Sequence, residues 1–256
     1  MKALFRFALR FIPRKYLQRI STVGLKIFSI FYIGKEVKCN VCESEYRKFM
    51  PYGRVKSREN ALCPNCQSLE RHRVMWMFLK EKTNFFTSKL SVLHVAPEIC
   101  FIKKFKSLKN LDYKTADIES PWADIKMDIM DIPLGDNSFD VVFCNHVLEH
   151  VDSDLIALKE FYRILKPGGW AILQSPIYYH LETTYEDPNI TDPKEREKHF
   201  GQDDHQRIFG RDYADRLRKG GFIVEPDNMV KRFSKEELFK FGYEDHETIY
   251  LCKKPG

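Results

Sequence analysis

From Lys89 onward the chain alternates short apolar runs with longer stretches whose apolar positions recur at helical spacing. "SVLHVA" (91–96) reads as a buried strand, "ICFIKKFKSL" (99–108) as a helix, and "LDYKTADI" (111–118) as a second strand with Asp117 at its end. "IKMDIM" (125–130) is a third strand, "FDVVFCNHV" (139–147) a fourth, "DLIALKEFYRIL" (154–165) an amphipathic helix and "GWAILQSPI" (169–177) a fifth strand. Strands separated by helices of this length predict parallel pairing through right-handed crossovers. Upstream, "SLERHRVMWMFLKEK" (68–82) reads as a helix with Ser68 as its N-cap and Arg71, His72 and Arg73 on its first turn, where they either solvate the surface or face a ligand.

The first 34 residues follow a different pattern, interleaving Phe, Leu and Ile with basic residues. Lys2, Arg6, Arg10 and Arg14 recur every four positions, so on a helix they form one stripe beside a wide apolar face, which Pro13 breaks or kinks. The longest uncharged run, Ile27–Gly34, is far shorter than the ~20 apolar residues needed to span a bilayer. This arm suits either a helix lying on an anionic membrane surface or a helix pair packing its aromatics on the body.

Charge sharpens the division. The chain's net charge is +6, yet residues 1–35 hold eight Lys/Arg and no acid, which leaves the rest at −2. A near-neutral body argues against a nucleic-acid grip, since phosphate binding needs a continuous basic face. A hydrophobic fraction of 43% supplies a real core and excludes global disorder. The expected organisation is a basic arm (1–35), a cysteine module (36–68) and an α/β domain (69–256).

Seven cysteines include two Cys-x-x-Cys pairs, Cys39/Cys42 and Cys63/Cys66, with twenty residues between them. Two residues between cysteines let a tight turn aim both sulfurs at one ion, and two such knuckles complete the four-thiolate set that Zn²⁺ favours. Four protein ligands leave no open position, so the zinc is structural. Cys100, Cys144 and Cys252 lie in apolar strings and read as buried thiols of a reducing, cytoplasmic compartment.

Ligands of parallel α/β sheets bind beyond the carboxyl ends of the strands. The polar residues there are Glu98 after Pro97, Asp117, Asp128, Asn145 with His146, and Ser175. An acid ending the second strand can accept two hydrogen bonds from a ribose diol, the position of Asp117. An acid after the third can accept from an adenine amino group while the next backbone N–H meets a ring nitrogen, the position of Asp128 and Ile129.

The stretch "MDIMDIPLGDNSFDVVFCNHVLEHVDSDLIALKEFYRILKPGGWAILQSP" (127–176) closely resembles the class I S-adenosylmethionine-dependent methyltransferases. The resemblance covers roughly residues 89–225. "CPNCQSLERHR" and "DDHQRIFGRDYADRLRKGGF" are similar to a subgroup carrying an N-terminal four-cysteine ribbon. It implies a doubly wound, mostly parallel seven-stranded Rossmann-like sheet, its last strand antiparallel and supplied here by "ETIYLCKK", beside a small zinc-ribbon module. It implies that Asp117 holds the ribose of S-adenosylmethionine, Asp128 and Ile129 its adenine, and Asn145 its methionine end. One departure is plain. Family members place an acid-x-Gly-x-Gly loop after the first strand, where this chain has His94-Val95-Ala96-Pro97-Glu98. Small Ala96 and kinked Pro97 still permit a turn, and Glu98 can bind the cofactor's α-ammonium in place of the missing acid.

"IYYHLETTYEDPNITDPKEREKHFGQDDHQRIFGRD" (177–212) is long for a loop and reads as a lid over the methyl acceptor. For an oxygen or nitrogen acceptor a general base is expected. His205, beside Asp203 and Asp204, is the first candidate, then His146, then His180. Arg207 either clamps an anionic acceptor or pairs with the neighbouring acids. The expected activity is methyl transfer to a small-molecule or lipid/glycan-linked acceptor by a cytoplasmic protein, either soluble or attached peripherally to the inner membrane face through residues 1–34. A non-catalytic cofactor-binding or scaffold protein, motivated by the absent glycines, and an RNA-modifying methyltransferase are the alternatives.

Overall fold

The computed structural model describes residues 24–25, 27–53, 57–120 and 123–256. The arm's basic stripe, residues 2–14, lies outside the described residues. In chain order the elements are β1 (Val37–Lys38), β2 (Glu45–Tyr46), β3 (Met50–Tyr52), β4 (Arg58–Leu62), α1 (Glu70–Lys82), β5 (Leu90–Val95), α2 (Ile99–Lys106), β6 (Leu111–Asp117), β7 (Ile125–Lys126), β8 (Phe139–Asn145), α3 (Asp154–Ile164), β9 (Leu165–Gln174), β10 (Tyr185–Glu186), α4 (Pro193–Phe200), β11 (Arg207–Ile208), α5 (Tyr213–Lys219), β12 (Ile223–Asp227), α6 (Lys235–Phe241) and β13 (Ile249–Lys253). They form two compact units.

The larger unit, Asn84–Asn228 with Thr248–Gly256, holds a seven-stranded sheet in the order β12-β13-β9-β8-β5-β6-β7. β5 through β9 pair in parallel, while β13 runs antiparallel to both β9 and β12. This is the Rossmann-like methyltransferase fold. The chain leaves β5 toward β6 and β7, then returns on β5's other side with β8, so the switch point lies between β5 and β8. β5 and β8 are almost wholly buried, as their near-continuous apolar runs require of central parallel strands. One face carries an aromatic cluster in which Phe101 and Phe105 stack at 5.1 Å and Phe143 meets Trp170 at 5.9 Å. On α3 the spaced residues Ala157, Leu158, Phe161 and Ile164 are buried, and the Ser153 hydroxyl caps the helix by accepting from the Ile156 N–H.

The predicted third strand shortens to Ile125–Lys126, because Asp128 turns the chain by accepting from the Met130 N–H at 2.8 Å. The predicted lid is not a bare loop. β10 pairs antiparallel with β11, and α4 lies between them.

The smaller unit gathers the described residues up to Thr83 with a second stretch, Met229–Glu247. It therefore takes in α1 as well as the cysteine segment. Ser68 does not cap α1: Leu69 holds that position and the Ser68 hydroxyl lies 3.2 Å from both the Cys39 and Cys66 sulfurs. Arg73 is fully buried, not solvated. Its guanidinium lies 4.2 Å over the Phe49 ring and donates to the carbonyls of Ser68, Phe241 and Gly242. Gly242 ends α6 at φ +59, and a Cβ there would come within 2.6 Å of the Arg73 guanidinium.

Candidate functional site

At the carboxyl end of β5 the chain must turn without glycine, and Ala96 takes the left-handed backbone, φ +46, that the turn demands. A Cβ makes that conformation cost about 1–2 kcal/mol, so the smallest side chain after glycine occupies it. Pro97 follows, and Glu98 stands just before α2. Its carboxylate is held from two sides. Asn145, the buried last residue of β8, donates from Nδ2 to Glu98 Oε1 at 2.9 Å, and the imidazole Nε2 of His94 contacts Oε2. The other His94 nitrogen, Nδ1, lies 2.8 Å from the Tyr113 hydroxyl of β6. Burial, and then the nearby Glu98 charge, push the Tyr113 phenol far above its ordinary range, so it stays protonated. A carboxylate can only accept, so the neutral His94 tautomer that satisfies both contacts donates Nε2–H to Glu98 and accepts the Tyr113 hydroxyl's hydrogen bond at Nδ1. Tyr113, His94, Glu98 and Asn145 form one chain of hydrogen bonds that crosses the switch point.

Asp117 ends β6. Its Oδ1 accepts from the N–H groups of Glu119 and Ser120 at 2.8 and 2.7 Å, while Oδ2 has no hydrogen-bond partner among the described residues. Asp128 repeats the arrangement, Oδ1 accepting from Met130 N–H. The Ile129 side chain is buried in the core, so only its backbone is available to a ligand. Three carboxylates at successive strand ends, each tethered through one oxygen or by neighbouring donors, fit a ligand bearing an ammonium, a diol and an amino group.

Beyond β8, His146 also takes a left-handed conformation, φ +57, and donates its N–H to the Gln174 carbonyl at 2.7 Å. Its ring remains 30% exposed, with Nδ1 3.5 Å from Glu149 Oε1. Glu149 is buried, and Oε2 accepts from the Ser175 hydroxyl at 3.0 Å. Burial alone would push Glu149 up; the hydrogen bond and charge of His146 outweigh it and hold the carboxyl below its ordinary value.

The lid meets this region through His205 and Arg207, both buried. The His205 ring stands perpendicular to that of His150, centroids 4.7 Å apart, and burial followed by the charge of His150 lowers its pKa. Asp203 is exposed, and Asp204 turns to His150, its Oδ2 3.4 Å from Nδ1. Arg207 neither faces an open cleft nor pairs with those acids. It binds Glu186 at 2.8 Å and donates to the carbonyls of Leu148, Val151 and Asp152, fastening the lid to the turn after β8. His180 is exposed, its ring 5.8 Å from that of Tyr178. Glu149, His150, His94 and Tyr113 escape the sequence reading; the Leu-Glu-His run at 148–150, straight after a strand, was the available signal for the first two.

In the smaller unit Cys39 faces Cys66 and Cys42 faces Cys63, each pair with sulfurs 3.6 Å apart, and no disulfide joins them. All four sulfurs lie within 4.8 Å of one another. A tetrahedron with ~2.3 Å metal–sulfur bonds has edges of roughly 3.8 Å, so the cluster fits a zinc ion. The two knuckles repeat each other. Glu43 N–H bonds the Cys39 carbonyl and Cys39 N–H the Ser44 carbonyl; Gln67, Cys63 and Ser68 do the same, and Glu43 and Gln67 share φ +63. Burial pushes the Cys144 and Cys252 thiols up, which leaves them inert.

Residues 99–173 match a family model described as a methyltransferase domain. A demethylmenaquinone methyltransferase of Staphylococcus carnosus (strain TM300) is 46% identical over 48 residues, 19% of this chain and 20% of that protein. One from Staphylococcus aureus (strain JH9) is 44% identical over 62 residues, 23% of this chain and 24% of that protein. The chain thus spans about a fifth to a quarter of the length of the curated relatives it matches. Among solved structures, an S-adenosylmethionine-dependent methyltransferase from Archaeoglobus fulgidus is 14% identical, covering 72% of this chain and 94% of that one with a TM-score of 0.46.

Proposed function

We propose that this chain is an S-adenosylmethionine-dependent methyltransferase acting on a small-molecule or lipid/glycan-linked acceptor. The observation that carries the reading is the row of carboxylates at successive strand ends, Glu98, Asp117 and Asp128, beside the switch point of a Rossmann-like sheet; the methyltransferase-domain match over 99–173 supports it. Bound S-adenosylmethionine supplies an electrophilic methyl group on a sulfonium sulfur. Glu98 binds the α-ammonium, oriented by Asn145 and His94. Asp117 takes the ribose diol through Oδ2. Asp128 accepts from the adenine amino group, with the Ile129 N–H on a ring nitrogen, and Ala96 and Pro97 line the turn.

On the acceptor side the reading assigns the base to His146. Its part-exposed ring has the ionised Glu149 behind it, the arrangement that stabilises an imidazolium after proton uptake. His205, the first candidate from sequence, is too enclosed to be the better-placed base.

The four cysteines bind one structural Zn²⁺. Ile27, Phe28, Ile30, Phe31 and Ile33 are all more than half exposed. Together with the basic residues before them they support peripheral attachment to an anionic membrane; no helix among the described residues is long and apolar enough to cross one.

Mass spectrometry of the purified protein, followed by calorimetry with S-adenosylmethionine, tests the reading. A co-purifying S-adenosyl compound and stoichiometric binding are expected; no binding would favour a scaffold of the same fold. Demethylmenaquinone, the acceptor in the names of the matched Staphylococcus proteins, is the first acceptor to assay.

A further inference from the structure

We propose that Glu149, His150 and His205 form a binding site for a divalent transition-metal ion, separate from the four-cysteine cluster. One donor atom from each lies within 4.8 Å of the others. Two imidazoles with one carboxylate make a donor set suited to zinc, iron, cobalt or manganese, and three protein ligands leave coordination positions open.

The polar accounting points the same way. His205 is 3% exposed, and its Nδ1 has no hydrogen-bond partner among the described residues. A buried ring nitrogen left unpaired carries a desolvation cost, and native structures seldom keep such a group without a use for it. A cation between Nδ1 and the Glu149 carboxylate supplies that use.

The surrounding groups have the form of a metal's outer shell. His150 Nδ1 faces Asp204, 3.3 Å from its carbonyl and 3.4 Å from Oδ2, which leaves Nε2 as the ligand atom. A carboxylate behind a ligating histidine fixes its tautomer and raises its basicity. Glu149 is held by the Ser175 hydroxyl, itself 3.5 Å from the Tyr213 hydroxyl. The chain also fixes the approach of the two halves of the site. Gln206 N–H bonds the Glu149 carbonyl at 2.8 Å, and Arg207 fastens the adjoining turn. His146 Nδ1, 3.5 Å from Glu149 Oε1, stands beside the donor triangle, and the His150 side chain is 34% exposed, so the cluster is not sealed from solvent.

A consequence for the acceptor rests on the transferase reading: an open position on a divalent ion favours an oxygen acceptor, whose hydroxyl loses its proton more readily when metal-bound.

The test is a Co²⁺ titration of the full chain with its cysteine site kept saturated with zinc, read by equilibrium dialysis and visible absorption. One cobalt per chain should bind without a sulfur charge-transfer band. His205→Ala and the part-exposed His150→Ala should each weaken uptake at least tenfold, and His246→Ala, an exposed histidine of the smaller unit, should not. Unchanged circular dichroism of His150→Ala guards against a folding defect in the His205 variant. No cobalt beyond the zinc site, or equal uptake by His150→Ala and wild type, overturns the proposal. Cobalt binding without S-adenosylmethionine binding leaves the site standing and removes the transferase reading; the reverse result removes the metal site alone.

Discussion

Asn145 and Glu98, 47 residues apart in the chain, share a 2.9 Å hydrogen bond that ties the end of β8 to the turn after β5. The bond runs across the switch point, so it joins the two halves of the sheet at the crevice where ligands of such sheets bind. It also fixes a carboxylate that the turn's backbone, with a strained alanine in place of glycine, does not itself restrain.

The first prediction separates the roles of two acids. A hydrogen bond to a charged group contributes roughly 1.5–3 kcal/mol, so Glu98→Ala and Asp117→Ala should each weaken S-adenosylmethionine binding about tenfold to a hundredfold. Adenosine, which lacks the amino-acid tail, should lose affinity only in Asp117→Ala. Calorimetry on both variants with both ligands decides it, and an unchanged Glu98→Ala affinity would remove Glu98 from the cofactor's contacts.

The strand pattern alone marked this region, because the runs holding Asp117, Asp128 and Asn145 form strands that end at those residues or just before them. The His94–Tyr113 pair was hidden. It depends on β5 and β6 aligning Leu93 with Lys114 and His94 with Thr115, a register that no local pattern encodes. Ser68 misled because a serine before a helical run is a cap signal, whereas here the cysteines claim its hydroxyl. The helix α4 had readable signals: Asp192 accepts from the Lys194 and Glu195 N–H groups, Pro193 opens the helix and Gly201 closes it at φ +82. Its mostly charged sequence offered no apolar stripe to announce it.

Metal analysis gives the second prediction. Carefully handled protein should contain one zinc per chain held by Cys39, Cys42, Cys63 and Cys66, and Cys63→Ser should lose it. Since the ligands are thiolates, zinc should be released progressively on acidification. Elemental analysis below ~0.2 equivalents at neutral pH would contradict the structural-zinc assignment.

Glu247 offers a pH-dependent test. Although it keeps part of its surface accessible, burial pushes its carboxyl up to about 7 from 4.5, against the pull of Arg71 and His246. Below pH 4.5 it is protonated folded or unfolded and costs nothing. Between 4.5 and about 7 the unfolded chain ionises first, so stability falls as pH rises; above that the cost is constant. Glu247→Gln should therefore leave the melting temperature unchanged at pH 4 and raise stability at pH 8, by on the order of 1–2 kcal/mol after allowing for partial exposure. An equal effect at both values would contradict it.

Vesicle co-sedimentation addresses the exposed apolar residues. Phe28→Ser with Phe31→Ser should reduce binding to anionic vesicles several-fold while leaving S-adenosylmethionine affinity unaltered. Equal binding by the double variant and wild type would mean that this segment does not enter the lipid.

The excursion Met229–Glu247 leaves from the end of β12 and returns just before β13, whose ends are joined by Asp227 pairing with Ile249 and by Asn228 donating to the Thr248 hydroxyl at 3.2 Å. The larger unit is thus discontinuous, and no single proteolytic cut or truncation can release either unit whole. Closing an excursion of this length costs on the order of 3 kcal/mol of chain entropy. Within the smaller unit, Arg73 holds that segment by donating to the Phe241 and Gly242 carbonyls, so the chain between the two edge strands is fastened to a residue laid down 168 and 169 positions earlier.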